Sequence, residues 1–320
     1  MDLFNKETLN YFKGDDLAAK VWTNKYSLKD SDGNQLEETP DDMHVRLTKE
    51  FHRIELKYKN PRSKDEIYEA LKNFKYIIPG GSPMSGIGNE NQIVSISNCF
   101  VIGNPEGTDS YGGICKIDEE MIQLCKRRGG VGTDLSDIRP MGSKVSNAAI
   151  TSTGVVPFME RYSNTIREVC QAGRRGALML SISCRHPEAS DFASAKLEQG
   201  KVTGANISVK FDDEFMKAVE DDGIYYQYFP IHKSKEEIIP EDILSGDNEV
   251  EIGKVYEGKL PGSVFKIIRA KEFWDKIIFN AWRSAEPGVL YWDNVLNNSS
   301  VKPYYDKGFK PVSTNPLNLQ

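Results

Sequence analysis

The feature that most constrains this chain is a change of period at Pro79-Gly80-Gly81. Beyond it, short apolar runs at 95–102, 131–135, 178–184, 204–211 and 288–293 have the length of strands. Between them lie stretches of helical period at about 118–127, 157–170, 187–196, 212–220 and 271–284. Pro157 suits a first helical turn, and Phe158, Tyr162, Ile166 and Val169 keep one face of that helix apolar. Phe273, Trp274, Ile277, Ile278 and Ala281 do the same in the last. Strands separated by helical segments are joined by crossovers, so they pair in parallel and the expected class is α/β.

Residues 1–75 read differently, as a small helical cap preceding an α/β domain over 76–320. Thr39-Pro40-Asp41-Asp42 offers an N-cap threonine, proline at the first helical position and acid in the first turn. Met43, Leu47, Phe51, Ile54 and Tyr58 then recur on one face. Ser63-Lys64-Asp65-Glu66 is a capping box, followed by Ile67, Leu71 and Phe74. Residues 221–262 are acidic, punctuated by glycine and proline, and weakly periodic, which suggests an irregular insertion on the domain surface.

Composition removes several function classes. The formal charge of -6 argues against a general affinity for nucleic-acid phosphates. No apolar run approaches the roughly 20 residues needed to span a bilayer, and the N-terminus has no apolar signal core. The expectation is a cytoplasmic protein that binds neither membrane nor nucleic acid. Cysteines at 99, 115, 125, 170 and 184 include no CxxC pair, which fits a reducing compartment and gives no zinc site. Cys184 and His186 lie close in sequence, but a strand end explains them more simply than a metal. No metal ligand is assigned.

Several short motifs carry two readings each. Cys99, after Ser97-Asn98, is either a core cysteine or a redox thiol. Arg127-Arg128-Gly129-Gly130-Val131-Gly132 is a helix stop before a strand, or a glycine nest whose bare N–H groups hold a ligand oxygen. It lacks the GK[ST] ending of a P-loop. Asp109-Ser110 caps a helix or accepts hydrogen bonds from a ribose. Gln171 through Ala177 is a basic turn or a ligand loop: Gly173 and Gly176 let it change shape, and Gln171 and Arg175 can read base edges or clamp phosphates. Gly204–Val209 and Glu286–Asn294 read as scaffold strands.

Taken in order, Ser97-Asn98-Cys99-Phe100, Arg127–Gly132, Gln171–Ala177 and Ser313-Thr314-Asn315-Pro316 resemble the N-terminal half of a ribonucleotide reductase large subunit, over almost the entire chain. The resemblance implies a ten-stranded α/β barrel of two half-barrels, of which this chain would hold the first, about five strands. It implies a reaction in which a thiyl radical takes the 3′-hydrogen of a ribonucleotide, the 2′-hydroxyl leaves as water and a cysteine pair is oxidised. By the resemblance Cys99 is one of that redox pair. Ser82, Asn98 and Gly130 contact a ribonucleoside di- or triphosphate, and Asn315 opens the finger loop. Asp109, Ser110, Arg139 in Asp137–Ser143, Gln171 and Arg175 bind a dNTP or ATP effector. One loop touching both ligands can couple their affinities. A dimer and an external thioredoxin-like dithiol are implied as well.

Trp22–Asp30 and Glu38–Met43 look most like the adenosylcobalamin-dependent class, although no cobalamin motif is recognisable; the alternative is a separate metal-containing radical subunit. In the family, Thr-Asn-Pro continues as Cys-Gly-Glu or Cys-Ser-Glu. Here Leu317 stands at the radical cysteine and Leu319 at the glutamate. The expectation is therefore a chain inactive by itself that needs a complementary C-terminal half, from a split or interrupted gene. The alternative is a catalytically retired homologue that binds dNTPs or regulates a partner. A half-barrel is further expected to expose apolar interior faces and open strand edges, favouring self-association.

Overall fold

The computed structural model describes residues 6–103, 109–169 and 176–315. The chain divides into two compact units, Met1–Asn98 with Arg127–Gly129, and Cys99–Lys126 with Gly130–Gln320.

The first unit is helical: α1 (Lys6–Tyr11), α2 (Asp16–Lys25), α3 (Pro40–Glu55), α4 (Lys64–Leu71) and α5 (Gly81–Gly86). Its starts are set by side chains that satisfy otherwise unpaired N–H groups. Asp15 Oδ1 accepts from the Ala18 N–H at 2.9 Å. Asp42 Oδ2 accepts from the Thr39 N–H at 2.9 Å. Ser63 and Glu66 cap each other, Glu66 N–H to Ser63 Oγ at 3.2 Å and Ser63 N–H to Glu66 Oε2 at 2.8 Å. Trp22, Met43, Leu47, Ile67 and Leu71 form the core. The α3 stripe buries only its first half: Phe51 and Ile54 line an open groove instead. The unit also continues beyond residue 75, since α5 packs Met84 against the same core.

The second unit carries β1 (Cys99–Val101), β2 (Gly130–Asp134), β3 (Leu178–Ser183), β4 (Asn206–Phe211), β5 (Ile224–Phe229), β6 (Val255–Glu257), β7 (Val264–Arg269) and β8 (Gly288–Tyr291). Its helices are α6 (Tyr111–Cys125), α7 (Val156–Glu168), α8 (Ala189–Ser194), α9 (Asp213–Glu220), α10 (Lys235–Ile238), α11 (Glu241–Leu244), α12 (Ala270–Ser284) and α13 (Trp292–Asn298). Five strands form one parallel sheet in the order β1-β2-β3-β4-β8. This is the α/β arrangement expected from the alternating periods, and it follows a helical region as expected. Helix α6 starts seven residues earlier than its apolar period suggested, at Tyr111 rather than 118. Ser110 Oγ accepts the Gly113 N–H at 3.1 Å and carries the helix through Gly112 and Gly113.

Two expectations need correction. The 221–262 insertion is not irregular. β5, β7 and β6 pair in an antiparallel sheet, in register from Ile224↔Arg269 to Phe229↔Val264. That sheet has its own core of Tyr228, Ile238, Ile239 and Phe265. The exposed, acidic connections diluted the period of strands that are themselves apolar.

The second correction concerns the faces of the parallel sheet. Side chains alternate along a strand. Val131, Leu178, Leu180, Ile182, Ile207, Val209 and Phe211 belong to the main core, with Met121, Met159, Tyr162 and Phe192 from the helices. The other face, followed across the register, reads Cys99 and Val101 on β1, Gly130, Gly132 and Asp134 on β2, Met179, Ser181 and Ser183 on β3, Asn206, Ser208 and Lys210 on β4, and Gly288 and Leu290 on β8. It is mostly small and polar, with Val101, Met179 and Leu290 as its apolar members. The chain itself lies along it, because a side chain on Gly132 would put its Cβ 1.8 Å from Thr314 O.

Candidate functional site

In the helical unit, Ser82 and Asn98 are brought together. The Ser82 N–H donates to Asn98 Oδ1 at 3.0 Å. Gly80 makes room for this, since a Cβ there would lie 2.8 Å from Asn98 Nδ2. Arg46, absent from the sequence-derived candidates, braces the helix that carries Ser82. Its guanidinium pairs with Glu37 at 2.7 Å, donates to Met84 O at 2.8 Å and also reaches Ile87 O. The Ser82 hydroxyl is buried and has no hydrogen-bond partner among the described residues. A buried donor left that way is costly unless something else meets it.

In the barrel unit, Cys99 opens β1 and is half-buried, in register with Gly130 at the start of β2. Residues 312–314 cross the same sheet face. Val312 O accepts from Lys210 Nζ at 3.0 Å, and Ser313 Oγ meets Ser181 Oγ at 2.8 Å. Ser313 and Thr314 are buried, and Asn315 follows half-buried. Beneath them Lys210 pairs with Asp134 at 2.7 Å, and Ser181 Oγ donates to Asp134 Oδ2 at 2.6 Å. Lys210 also lies 4.7 Å from the centre of the Trp292 ring. At the carboxyl ends of the strands, a cleft of about 500 Å³ is lined by Asp134, Asp137, Arg185, Lys210, His232 and Trp292. Burial, with the Asp134 carboxylate second, raises the Asp137 carboxyl above the ordinary aspartate range. Asp134, Ser181 and Lys210 were not singled out from the sequence. The signal lay in Lys210, the one charge near the end of an otherwise uncharged strand.

Asp109, Ser110 and Arg139 also come together, in a separate cleft of about 340 Å³ with Tyr111, Asn147 and Phe158 on its walls. Asp109 Oδ1 accepts the Arg139 backbone N–H at 2.9 Å, and Oδ2 accepts Nε and Nη2, each at 2.8 Å. Arg139 Nη1 reaches Lys144 O. A guanidinium has five N–H donors, so Nη1 and Nη2 each keep one for a further acceptor. The loop bearing Arg139 is anchored from below: His186 Nε2 donates to Ile138 O at 2.8 Å and its Nδ1 accepts the Glu188 N–H at 3.1 Å. Both ring nitrogens are engaged, which fixes the tautomer. Burial lowers the His186 pKa to about 4. Gln171 and Arg175, also read as effector contacts, lie outside the described residues, as does Leu317.

A helical unit followed by a parallel strand–helix sheet, with a polypeptide segment laid over one face, makes this an α/β protein. The ribonucleotide reductase barrel domain matches residues 97–308, and the ribonucleotide reductase all-alpha domain matches residues 12–92. The chain therefore belongs to the ribonucleotide reductase large-subunit family. Among its relatives is a vitamin B12-dependent ribonucleoside-diphosphate reductase of Thermoplasma acidophilum, 28% identical over 79% of this chain and 28% of that protein. The ribonucleoside-diphosphate reductase large subunit of Variola virus is 27% identical over 89% of this chain and 34% of its own length. Subunit alpha of the Helicobacter pylori enzyme is 25% identical over 87% and 34%. The chain thus spans about a third of the length of the curated relatives it matches.

Proposed function

We propose that this chain contributes the first part of a catalytic barrel that reduces ribonucleoside di- or triphosphates to 2′-deoxyribonucleotides under dNTP or ATP control. The observation that carries this reading is the segment through Asn315 laid on the same sheet face as Cys99 and Gly130, in a member of this family. In the proposal Cys99 is one thiol of the pair oxidised to a disulfide as the 2′-hydroxyl leaves as water. An external dithiol then re-reduces it. Ser82, Asn98 and Gly130 hold the substrate, the unpaired Ser82 hydroxyl being a ready contact for a phosphate or ribose oxygen. Asp109 accepts from the effector ribose, Ser110 supports it through its helix start, and Arg139, Gln171 and Arg175 hold its phosphates.

The whole reaction needs the rest of the family's length and a radical source. Adenosylcobalamin supplies the radical in one proposed form, as the name of the Thermoplasma relative suggests; a separate metal-containing subunit does so in the other. A corrin brings its own equatorial nitrogens; what the described residues lack is a group of three or more side chains that could hold a bare metal ion.

Leu317 stands where the resemblance expects the radical cysteine and has no thiol, so this sequence is proposed not to form the thiyl radical itself and to act as part of a cytoplasmic dimer that holds the whole barrel. Leu317 and Leu319 equally favour a second reading, a retired homologue that binds dNTPs and regulates a partner. Calorimetry with the four dNTPs and ATP, then reductase assays with a polypeptide supplying the rest of the barrel, separate these. Effector binding with restored turnover that Cys99→Ser abolishes supports the reductase. Binding without turnover supports the regulator, and no binding by wild type in the reconstituted complex removes the effector assignment from both.

A further inference from the structure

We propose that Lys210, Asp134 and Ser181 are positioning residues that fix residues 312–314 on the sheet and so set the place of Asn315 beyond them. The inference deepens the reductase reading, since that reading gives the segment its chemical task, but its geometry stands by itself. Three successive residues are each held by a different strand. Val312 O takes the Lys210 ammonium from β4 at 3.0 Å. Ser313 Oγ meets Ser181 from β3 at 2.8 Å. Thr314 O lies so close over Gly132 of β2 that a Cβ there would sit 1.8 Å away. The segment therefore crosses β4, β3 and β2 in turn, toward the edge where Cys99 begins β1.

The charges leave little freedom in this arrangement. Asp134 Oδ2 accepts both Lys210 Nζ and Ser181 Oγ, at 2.7 and 2.6 Å, while Oδ1 accepts the Ser136 N–H at 3.1 Å. Because Ser181 spends its one hydroxyl proton on Asp134, it can only accept from Ser313. The order Ser313 to Ser181 to Asp134 is thus fixed in direction as well as in distance. Lys210 points its ammonium at a carboxylate, a carbonyl and the face of Trp292. A buried pair of this kind is better at selecting one register than at adding stability. Shifting the segment by one residue would take the Ser313 hydroxyl away from Ser181 and put a residue with no hydroxyl, Val312, or the bulkier Thr314 in its place.

The test is methyl NMR on the full chain with labelled threonine, with no substrate, radical source or turnover involved. Thr314 reports on the segment. Thr133, on β2 but fully buried on the opposite face, reports on the sheet. In Lys210→Met and Asp134→Asn the order parameter of the Thr314 methyl axis is expected to fall about two-fold, with Thr133 unchanged. Lys210→Arg, which keeps the cation, should hold Thr314 near the wild-type value. Ser313→Ala and Gly132→Ala remove no charge and carry the test if the charge variants do not fold; each should loosen or shift Thr314 alone. Thr133 losing order together with Thr314 would mark general loosening and overturn the proposal. So would a Thr314 signal that Ser313→Ala and Gly132→Ala leave at wild type. A failure of dNTP or substrate binding would count against the reductase reading without moving these signals.

Discussion

Lys210–Asp134 and Arg139–Asp109 are ion pairs of the same length, 2.7 and 2.8 Å, in the same unit, yet they sit in different solvents. The side chains of the first are 7% and 13% exposed, those of the second 31% and 28%. Around Lys210 the alternatives to Asp134 are a carbonyl and an indole ring, so separating the pair leaves two mostly buried charges with fewer partners than water would give them. Around Arg139 water can replace either partner as the pair opens. Equal distance therefore conceals unequal roles. The buried pair suits a fixture, and the half-exposed one suits a contact that a ligand can displace.

The strongest way to break the comparison is to remove one charge from the buried pair. Lys210→Met leaves Asp134 enclosed without its cation and should lower unfolding free energy by about 3–5 kcal/mol. Lys210→Met with Asp134→Leu removes both charges and should recover most of that loss. Chemical denaturation of the single and double variants measures both. A single variant as stable as wild type would mean that water reaches Lys210 and that the two pairs are alike.

A buried anchor also stands behind the exposed pair, and pH can probe it. His186 titrates near 6.5 in the unfolded chain but only at about 4 in the native one. As pH falls from 6.5 toward 4, the unfolded state takes up a proton that the native state refuses. Stability is then lost on acidification, by on the order of 3 kcal/mol at the end of the window. Glu188 works in the opposite sense: burial raises its native pKa, so it adds stability as pH falls through that value. The clean measurement is the difference between wild type and His186→Asn over this range. The wild type should lose more stability on acidification; parallel curves would show that His186 is solvated.

Smaller in effect is Gly132→Ala, which asks how firmly the segment over the polar face is held. Its Cβ would meet Thr314 O at 1.8 Å, so either the segment lifts or the strand bends. A destabilisation of about 1–3 kcal/mol is expected, typical of overpacking, read as a shift in denaturation midpoint. No change would mean that the segment moves aside at no cost.

How much of this was legible in the sequence follows from what each element buries. β3 and β4 were readable because Leu178, Leu180, Ile182, Ile207 and Val209 pack on helices and keep an apolar rhythm. The capping box at Ser63 and Glu66 was readable because it is a local exchange of hydrogen bonds. The polar face was not readable. Asp134, Ser181 and Lys210 come from separate strands and acquire meaning only when parallel pairing sets them side by side under Ser313. The grouping of Asp109 with Arg139 was anticipated through family resemblance, but their direct pairing was not, since both were expected to bind an effector and not each other. The antiparallel sheet was missed because β5 and β7 pair across a long acidic connection, and no local period reports a partner so far along the chain.

The mildest test bears on the exposed pair and on the proposed effector cleft. Asp109→Asn should cost less than about 1 kcal/mol of stability, since the pair is partly solvated and the amide oxygen can still accept the Arg139 backbone N–H. Its consequence for binding is the sharper one. Arg139 loses its carboxylate partner and gains a free guanidinium edge, so inorganic tripolyphosphate should bind a few-fold more tightly. A dNTP gains the same phosphate contact but loses the acceptor proposed for its ribose, so its advantage over tripolyphosphate should shrink. Titration calorimetry with both ligands on wild type and variant reads the ratio directly. If Asp109→Asn weakens both ligands equally, Asp109 is a prop for Arg139 and not a ribose contact. If neither ligand responds, the exposed pair is as fixed in function as the buried one, and solvent exposure does not distinguish a gate from a clamp in this protein.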